Sequence, residues 1–461
     1  MIRLCYGLVA ALVAGPALSQ STESDALKAL SVDGVELKTW SATEDATGNL
    51  LISALRLEGQ GSIELRDIFV KPADGRLPFS GKGLTWDDED GGEIKAFEFS
   101  GRDIGILAQA ITGRSETCAE TISTEVSARG VDLIADDDLL PHGELPERMT
   151  AAEVSVGFAP GENGCLQLNN FHITGLRQEA SGYIATAGSV GFERSKDEVP
   201  GLGIVANGIL IADPANEVIL RADEFALAGE TSYEFSDRAD GVSLRSALSE
   251  HLVDVGVPDS RFTASVAGLS MPITLTEETR LSVPGLLHAK IPDDYRITGD
   301  FLLSAAVEDN RIHASLEQDL GGLFAASGEI TFEPDGKARS FMSAMSGNHL
   351  RSLMASMTFH GAKLSLQDRG IGDLIRLNTD MGPAELLMEK RDAILDRVPA
   401  PLQGSIEPTL DAVLAWIGQG LEEGASFSAE PEQPVGMIQF GTMFAISPSM
   451  GLGLLNITSG D

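Results

Sequence analysis

Ser62-Ile63-Glu64-Leu65-Arg66-Asp67-Ile68-Phe69-Val70 alternates between apolar and polar side chains. In an extended chain successive side chains point to opposite faces, so this stretch reads as a strand with one buried face and one wet face. That is the pattern of antiparallel sheets, because parallel sheets are covered on both sides and run apolar throughout. The same alternation appears in Val35-Glu36-Leu37-Lys38-Thr39-Trp40 and in Glu93-Ile94-Lys95-Ala96-Phe97-Glu98-Phe99. Further candidate strands cover residues 152–158, 166–173, 183–192, 204–211, 218–228, 298–307, 311–317 and 329–332. Asp90-Gly91-Gly92, Asp240-Gly241 and Pro334-Asp335-Gly336 supply hairpin-grade turns between them. The chain carries 50 glycines, scattered rather than clustered, which suits a layout with many turns.

Helices are expected at few places. Ile104, Leu107, Ala108 and Ile111 have helical spacing before Gly113, and Leu244, Leu248, Leu252 and Val255 have it before Gly256. Near the C-terminus, Pro383 is read as opening a helix with Leu387, Ile394 and Val398 on one side and Pro399 at its end. Pro408 is read as opening another, with Leu410, Val413, Leu414 and Ile417 as its buried stripe. The expected fold class is therefore mainly β, antiparallel, in elongated or curved sheets, with an α/β C-terminal region. The corresponding division is a leader over 1–19, an N-terminal β region over 20–115, a central β region over 116–340 and the α/β region over 341–461.

A weak internal repeat aligns Ser127-Ala128-Arg129-Gly130-Val131-Asp132-Leu133 with Ser265-Val266-Ala267-Gly268-Leu269-Ser270-Met271 and Thr358-Phe359-His360-Gly361-Ala362-Lys363-Leu364. Each is an alternating strand with a central glycine, the mark of a bulge or of close backbone approach. Their spacing to the next apolar–Pro pairs is too irregular for a strict solenoid, which leaves a diverged duplication of a helix–strand–strand module or chance alternation.

Many short, aromatic-poor alternating strands behind a leader resemble the β-rich exported proteins of the AsmA and TamB type. The stretch Leu364-Ser365-Leu366-Gln367-Asp368-Arg369-Gly370-Ile371-Gly372-Asp373-Leu374-Ile375-Arg376, set within about residues 358–461, resembles the C-terminal end of uncharacterised exported proteobacterial proteins. The resemblance implies a role in lipid handling between membranes and no catalytic residue. Proteins of the AsmA type keep an N-terminal membrane anchor, whereas here the leader reads as cleavable.

The 461 residues hold 33 Lys+Arg against 69 Asp+Glu, a formal net charge of −36. Such a surface repels phosphate backbones, so no nucleic-acid partner is expected. Hydrophobic residues at 43% and charged residues at 22% indicate a chain that folds rather than a disordered one. Arg3, the apolar run around Leu8 and Val13, Pro16 and Ala17-Leu18-Ser19 read as a secretory signal cut before Gln20. The apolar run is shorter than the roughly 20 residues a spanning helix needs. No transmembrane segment is expected after cleavage, and the periplasm is the expected location. The mature chain would keep two cysteines, Cys118 and Cys165, read as a disulfide in an oxidising compartment.

No nucleophile elbow, zinc helix or phosphate-binding loop is present. The seven histidines His142, His172, His251, His288, His313, His349 and His360 never fall within four residues of one another. The concentrated polar chemistry is acidic: Asp87, Asp88 and Asp90 in one cluster, Asp136, Asp137 and Asp138 in another. Oxygen-rich turns of this kind can hold Ca²⁺, although the spacing lacks the alternating ligands of a helix-loop-helix site. The first reading is a non-catalytic envelope protein that binds lipid or a protein partner, with no cofactor. Two others stand beside it: a secreted hydrolase with a dispersed carboxylate site, and a calcium-dependent surface or adhesion module. A long apolar groove without convergent polar groups favours the first. Two close carboxylates flanked by aromatic platforms favour the second.

Overall fold

The computed structural model describes residues 21–59, 61–88, 93–110, 124–134, 148–160, 166–180, 182–195, 201–230, 261–272, 295–309, 311–334, 357–379, 381–396 and 400–460. The protein is mainly β and antiparallel, as the alternation predicts. Its chain divides into two compact units, one made of residues 1–194, 203–218 and 235–247, the other of 195–202, 219–234 and 248–461.

The first unit opens with helix α1 (Thr22–Leu30) and continues as a meander of β1 (Glu36–Glu44), β2 (Leu50–Glu58), β3 (Gly61–Val70), β4 (Phe79–Asp88) and β5 (Glu93–Gly101). After the short helix α2 (Gly105–Ala110) come β6 (Thr124–Ile134), β7 (Arg148–Pro160), β8 (Leu166–Ala180), β9 (Tyr183–Ser195) and β10 (Gly201–Ala212). Each strand from β1 to β9 pairs antiparallel with the next. Alanine and leucine give α1 its intrinsic preference. The Ser21 side chain caps it by accepting from the Ser24 N–H at 3.3 Å. Glu44 of β1 accepts from the Thr22 and Glu23 amides at 3.3 and 3.2 Å, which pins the helix start to the sheet. Ala26 and Leu30 of α1, with Ile104, Leu107 and Ala108 around α2, then cover Leu50, Ile52, Leu55, Leu57, Ile63, Leu65, Ile68 and Val70 in one core.

The alternation within these strands carries a fault. Buried side chains in one straight strand must be an even number of residues apart. Here Ile52 and Leu55, Leu65 and Ile68, and Ala96 and Phe99 are three apart, while Val126 and Val131, Ala151 and Val156, and Ala187 and Phe192 are five apart. The slips are in register: Ile52 faces Ile68, Leu55 faces Leu65, Val131 faces Ala151 and Val156 faces Phe171. Two residues in a row therefore turn away from the core along one line across the unit, such as Arg66 with Asp67 and Arg129 with Gly130. Left-handed residues lie along the line: Asp67 at φ 51° in β3, and Gly83, Gly130, Gly175 and Gly208 at φ 59–69° in β4, β6, β8 and β10. At Gly130 a Cβ would meet the Phe97 Cβ at 3.2 Å, so both the backbone angle and the neighbour call for glycine.

The second unit begins with the meander β11 (Val218–Glu230), β12 (Arg261–Pro272), β13 (Arg296–Glu308), β14 (Arg311–Gly321), β15 (Phe324–Pro334) and β16 (Met357–Asp368). Helices α3 (Ile371–Thr379), α4 (Pro383–Leu395) and α5 (Ala400–Gly420) come next. The chain then returns as β17 (Ala425–Ala429) and β18 (Val435–Gly436), both antiparallel to β16. Helices α6 (Met437–Ile446) and α7 (Pro448–Gly453) precede β19 (Ile457–Gly460), which pairs with β17. Arg391 of α4 donates to Asp411 and Glu407 of α5 and fastens the two helices together.

Three sequence expectations need correction. Pro408 does not open a helix; it lies inside α5, which starts at Ala400 with Pro401 in its first turn, where a missing N–H costs nothing. Val413 is 42% exposed, so the buried stripe of α5 rests on Leu414. Gly130 and Gly268 are left-handed as a bulge glycine would be, but Gly361 is not. On β16 the irregularity is a register shift that leaves His360 as the extra residue. The turns at 90–92, 240–241 and 335–336 and the helix expected near 244–255 lie outside the described residues.

Candidate functional site

In the second unit the register of β12–β16 sorts side chains into two chemically different faces. Reading across the strands, one face carries Val266–Phe301–Gln318–Ala326–Leu366, then Ala264–Leu303–Leu316–Gly328–Leu364, then Phe262–Ala305–Ala314–Ile330–Ala362. Gln318 is the single polar side chain in those three rows. The intervening rows are Ser265–Leu302–Glu317–Ser327–Ser365 and Thr263–Ser304–Ser315–Glu329–Lys363. Their hydroxyls pair across strands, Ser304 with Ser315 and Ser327 with Ser365, both at 2.6 Å. Cross-strand hydroxyl pairs thus satisfy part of this half-exposed face, which also carries Leu302, 37% exposed.

The apolar face is covered at its margins. At one end Val307, Ile312, Phe332 and Met357 form a small core against which Met437 of α6 packs. On the β16–β17 side α5 lies close: a Cβ on Gly420 would meet the Leu366 side chain at 3.0 Å, and the Trp416 ring meets Phe427 at 5.8 Å. Between these covers Leu303 and Leu364 are each 37% exposed and Ile330 is 40% exposed. Completing the burial of one such side chain would contribute about 0.5–1 kcal/mol.

A shallow groove of about 810 Å³ crosses the same strands, lined by Asp300, Glu317, Asp319, Glu423 and small side chains such as Ser265, Ala325, Ser327 and Ser426. Two of its four carboxylates, Asp300 and Asp319, are engaged by donors. Asp300 accepts from the Gly268 amide at 2.8 Å. Arg369 donates to both oxygens of Asp319 at 2.8 and 3.2 Å, which holds that carboxyl below its usual range. Phe301 is the one aromatic residue of the lining.

The acidic clusters read from sequence are only partly described. Asp87 is exposed at the end of β4, where it stands opposite Glu93 and accepts from the Ser62 hydroxyl at 3.3 Å. Asp88 ends the same strand opposite Gly61. Asp90, Asp136, Asp137 and Asp138 lie outside the described residues, as do Cys118 and Cys165. Among the described residues, no three His, Cys, Asp or Glu side chains gather as a metal site. Of the histidines, His313 contacts Thr331 at 3.1 Å and His360 contacts Glu333 at 3.0 Å, and His172 stands opposite Gly191. His142, His251, His288 and His349 fall outside the described residues.

Sequence reading found the strands that carry the apolar face but not the face itself. The alternation of β13, β14 and β15 puts Phe301, Leu303, Leu316 and Ile330 on one face, and nothing local says that it lacks a cover. No protein-family model matches the chain, and no curated protein matches it in sequence. Among the described residues no helix is long and apolar enough to cross a membrane.

Proposed function

We propose that this protein is a non-catalytic binding protein of the cell envelope, and that the apolar face of β12–β16 receives acyl chains or another extended apolar ligand. Leu303, Ile330 and Leu364, half-exposed in two adjacent rows of a face whose three described rows hold Gln318 as their one polar side chain, are the observation that carries the reading. Such a face offers area without direction. It suits long hydrocarbon, whose affinity grows with buried length, better than a compact substrate that needs fixed polar contacts. In the rows behind it, Ser304 pairs with Ser315 and Ser327 with Ser365.

In this reading the chain is exported to the periplasm, residues 1–19 are removed, Cys118 and Cys165 are joined, and the C-terminal α/β region frames the binding face. The resemblance to AsmA- and TamB-type proteins belongs to the same proposal, as does the absence of a resident cofactor.

Native mass spectrometry of protein purified from its own cells tests it. Co-purifying lipid, lost in Leu303→Glu/Ile330→Glu with thermal unfolding unchanged, is the expected result. Protein that carries no lipid and gives no saturable displacement of an apolar fluorophore would overturn the proposal.

A further inference from the structure

From Gln433 to Gly460 the chain has 28 consecutive residues with no Asp, Glu, Lys, Arg or His. Beyond Glu23, the next longest run without Asp, Glu, Lys or Arg is the 15 residues 262–276. In a protein of net charge −36 such a gap is a local property of the surface, and the structure shows what occupies it. It comprises β18, α6, α7 and β19, and it contains the two most exposed large non-aromatic hydrophobic side chains among the described residues, Ile438 at 66% and Met450 at 53%. Ile457 in β19 is a further 40% exposed. The exposed side of α6 continues as Gln439 and Thr442, and the Thr442 hydroxyl is turned inward onto the Ile438 carbonyl at 2.8 Å. Val435 and Met437 face the other way, Val435 buried and Met437 packed on the sheet core, which anchors the helix start.

We propose that this α6–α7 segment docks the protein on the surface of a lipid bilayer of uncharged or zwitterionic headgroups. Charge selects the occupant. A strongly acidic protein is repelled by anionic surfaces, and among its own surfaces only one without ionised groups can enter the headgroup layer without stripping water from charges. Protruding Ile438 and Met450 supply the apolar contact, and α6 spans ten residues, enough to lie in the interface and too few to cross it. Ile438 and Met450 are distinct from the exposed Leu303, Ile330 and Leu364 of the sheet, so the two sites can be substituted separately.

The test is flotation of the full chain with phosphatidylcholine vesicles and with vesicles enriched in phosphatidylglycerol. Parent protein should float with the first at about 0.15 M salt and less with the second, and the difference should narrow as salt rises. Ile438→Glu/Met450→Glu should lower flotation roughly tenfold, and Leu303→Glu/Ile330→Glu should leave it unchanged. Should the double glutamate variant unfold, Ile438→Ser/Met450→Ser is expected to reduce flotation in the same direction. The proposal fails if the parent protein stays with the free fraction, if the α6–α7 variants float as the parent does, or if the sheet-face variant alone abolishes binding. It also fails if the α6–α7 variants instead turn a dimer into a monomer by light scattering while the parent protein does not bind vesicles.

Discussion

Ile68 in β3 and Ile330 in β15 are the same residue on the apolar side of the same kind of antiparallel meander, yet Ile68 is fully buried and Ile330 is 40% exposed. In the first unit α1 and α2 close over β1–β5, so Ile68 sits in a core with Leu50, Ile52 and Leu65. In the second, α5 and α6 cover the margins of β12–β17 and leave the middle of the face bare. Alternation tells a residue which way to point. Whether anything waits there depends on segments far away in the sequence.

The largest expected effect breaks this comparison directly. Ile68→Ala should cost about 2–5 kcal/mol, as truncation in a closed core does, whereas Ile330→Ala should cost less than about 1 kcal/mol. Replacing Trp416 by Phe leaves Trp40 and Trp86 to report the first unit in urea, and replacing those two leaves Trp416 to report the second. Equal losses at the two isoleucines would mean that Ile330 is covered in solution.

Asp103 sharpens the contrast from the polar side. It is a buried carboxylate in the first unit, 4% exposed, accepting from Gly105 N–H at 2.9 Å and Leu77 N–H at 3.3 Å. Asp103→Ala should strand both donors and cost about 1–3 kcal/mol. Burial pushes its carboxyl above the ordinary value, and the two amides and Arg76 pull the other way less strongly. A raised carboxyl favours the folded state when protonated. Its contribution is therefore full below the unfolded value of about 3.9 and is lost as pH rises through the folded value. Asp103→Asn should remove that slope from the unfolding of the first unit.

Gly130→Ala should cost about 1–2 kcal/mol, since φ +60° is unfavourable for an L side chain and Phe97 crowds the new methyl. Gly328→Ala in the second unit lacks the left-handed angle, and its new methyl would meet the flexible end of Leu364 at 3.3 Å. It should cost less, measured by the same unfolding curves. The smallest effect is expected on the fault line itself. Arg129 reaches Glu98 at 3.9 Å and Glu153 at 3.5 Å while 63% exposed, so Arg129→Ala should leave the urea midpoint unchanged.

Much of the fold was legible because strand alternation is local. The runs at 62–70, 183–192 and 298–307 carry their pattern in adjacent residues, and each lies within a strand. Strand β4 went unread because Gly81, Lys82 and Gly83 interrupt its pattern between Phe79 and Trp86, and those glycines act only in register with Phe99 and Phe97. Strands β17, β18 and β19 are two to five residues long and are held by pairing with β16 and with one another rather than by composition. Helix α5 overrode the proline signal at 408 because its contacts with β16, β17 and Arg391 outweigh one missing backbone hydrogen bond.

The amino-acid sequence by itself determined that this chain is acidic, mainly β and antiparallel, and it determined which side chains of β3, β13 and β14 would share a face. Those properties derive from charge count and from a period of two, and neither needs a distant partner. The tertiary structure alone decided where the alternation slips, because a left-handed glycine shifts a whole sheet only when its neighbours slip in the same row. It alone decided that Leu303, Ile330 and Leu364 stay open while the Ile52–Ile68 row is closed. Coverage is a contact between segments tens of residues apart in the first unit and from tens to more than a hundred apart in the second, and no local pattern of apolar residues records whether that contact is made.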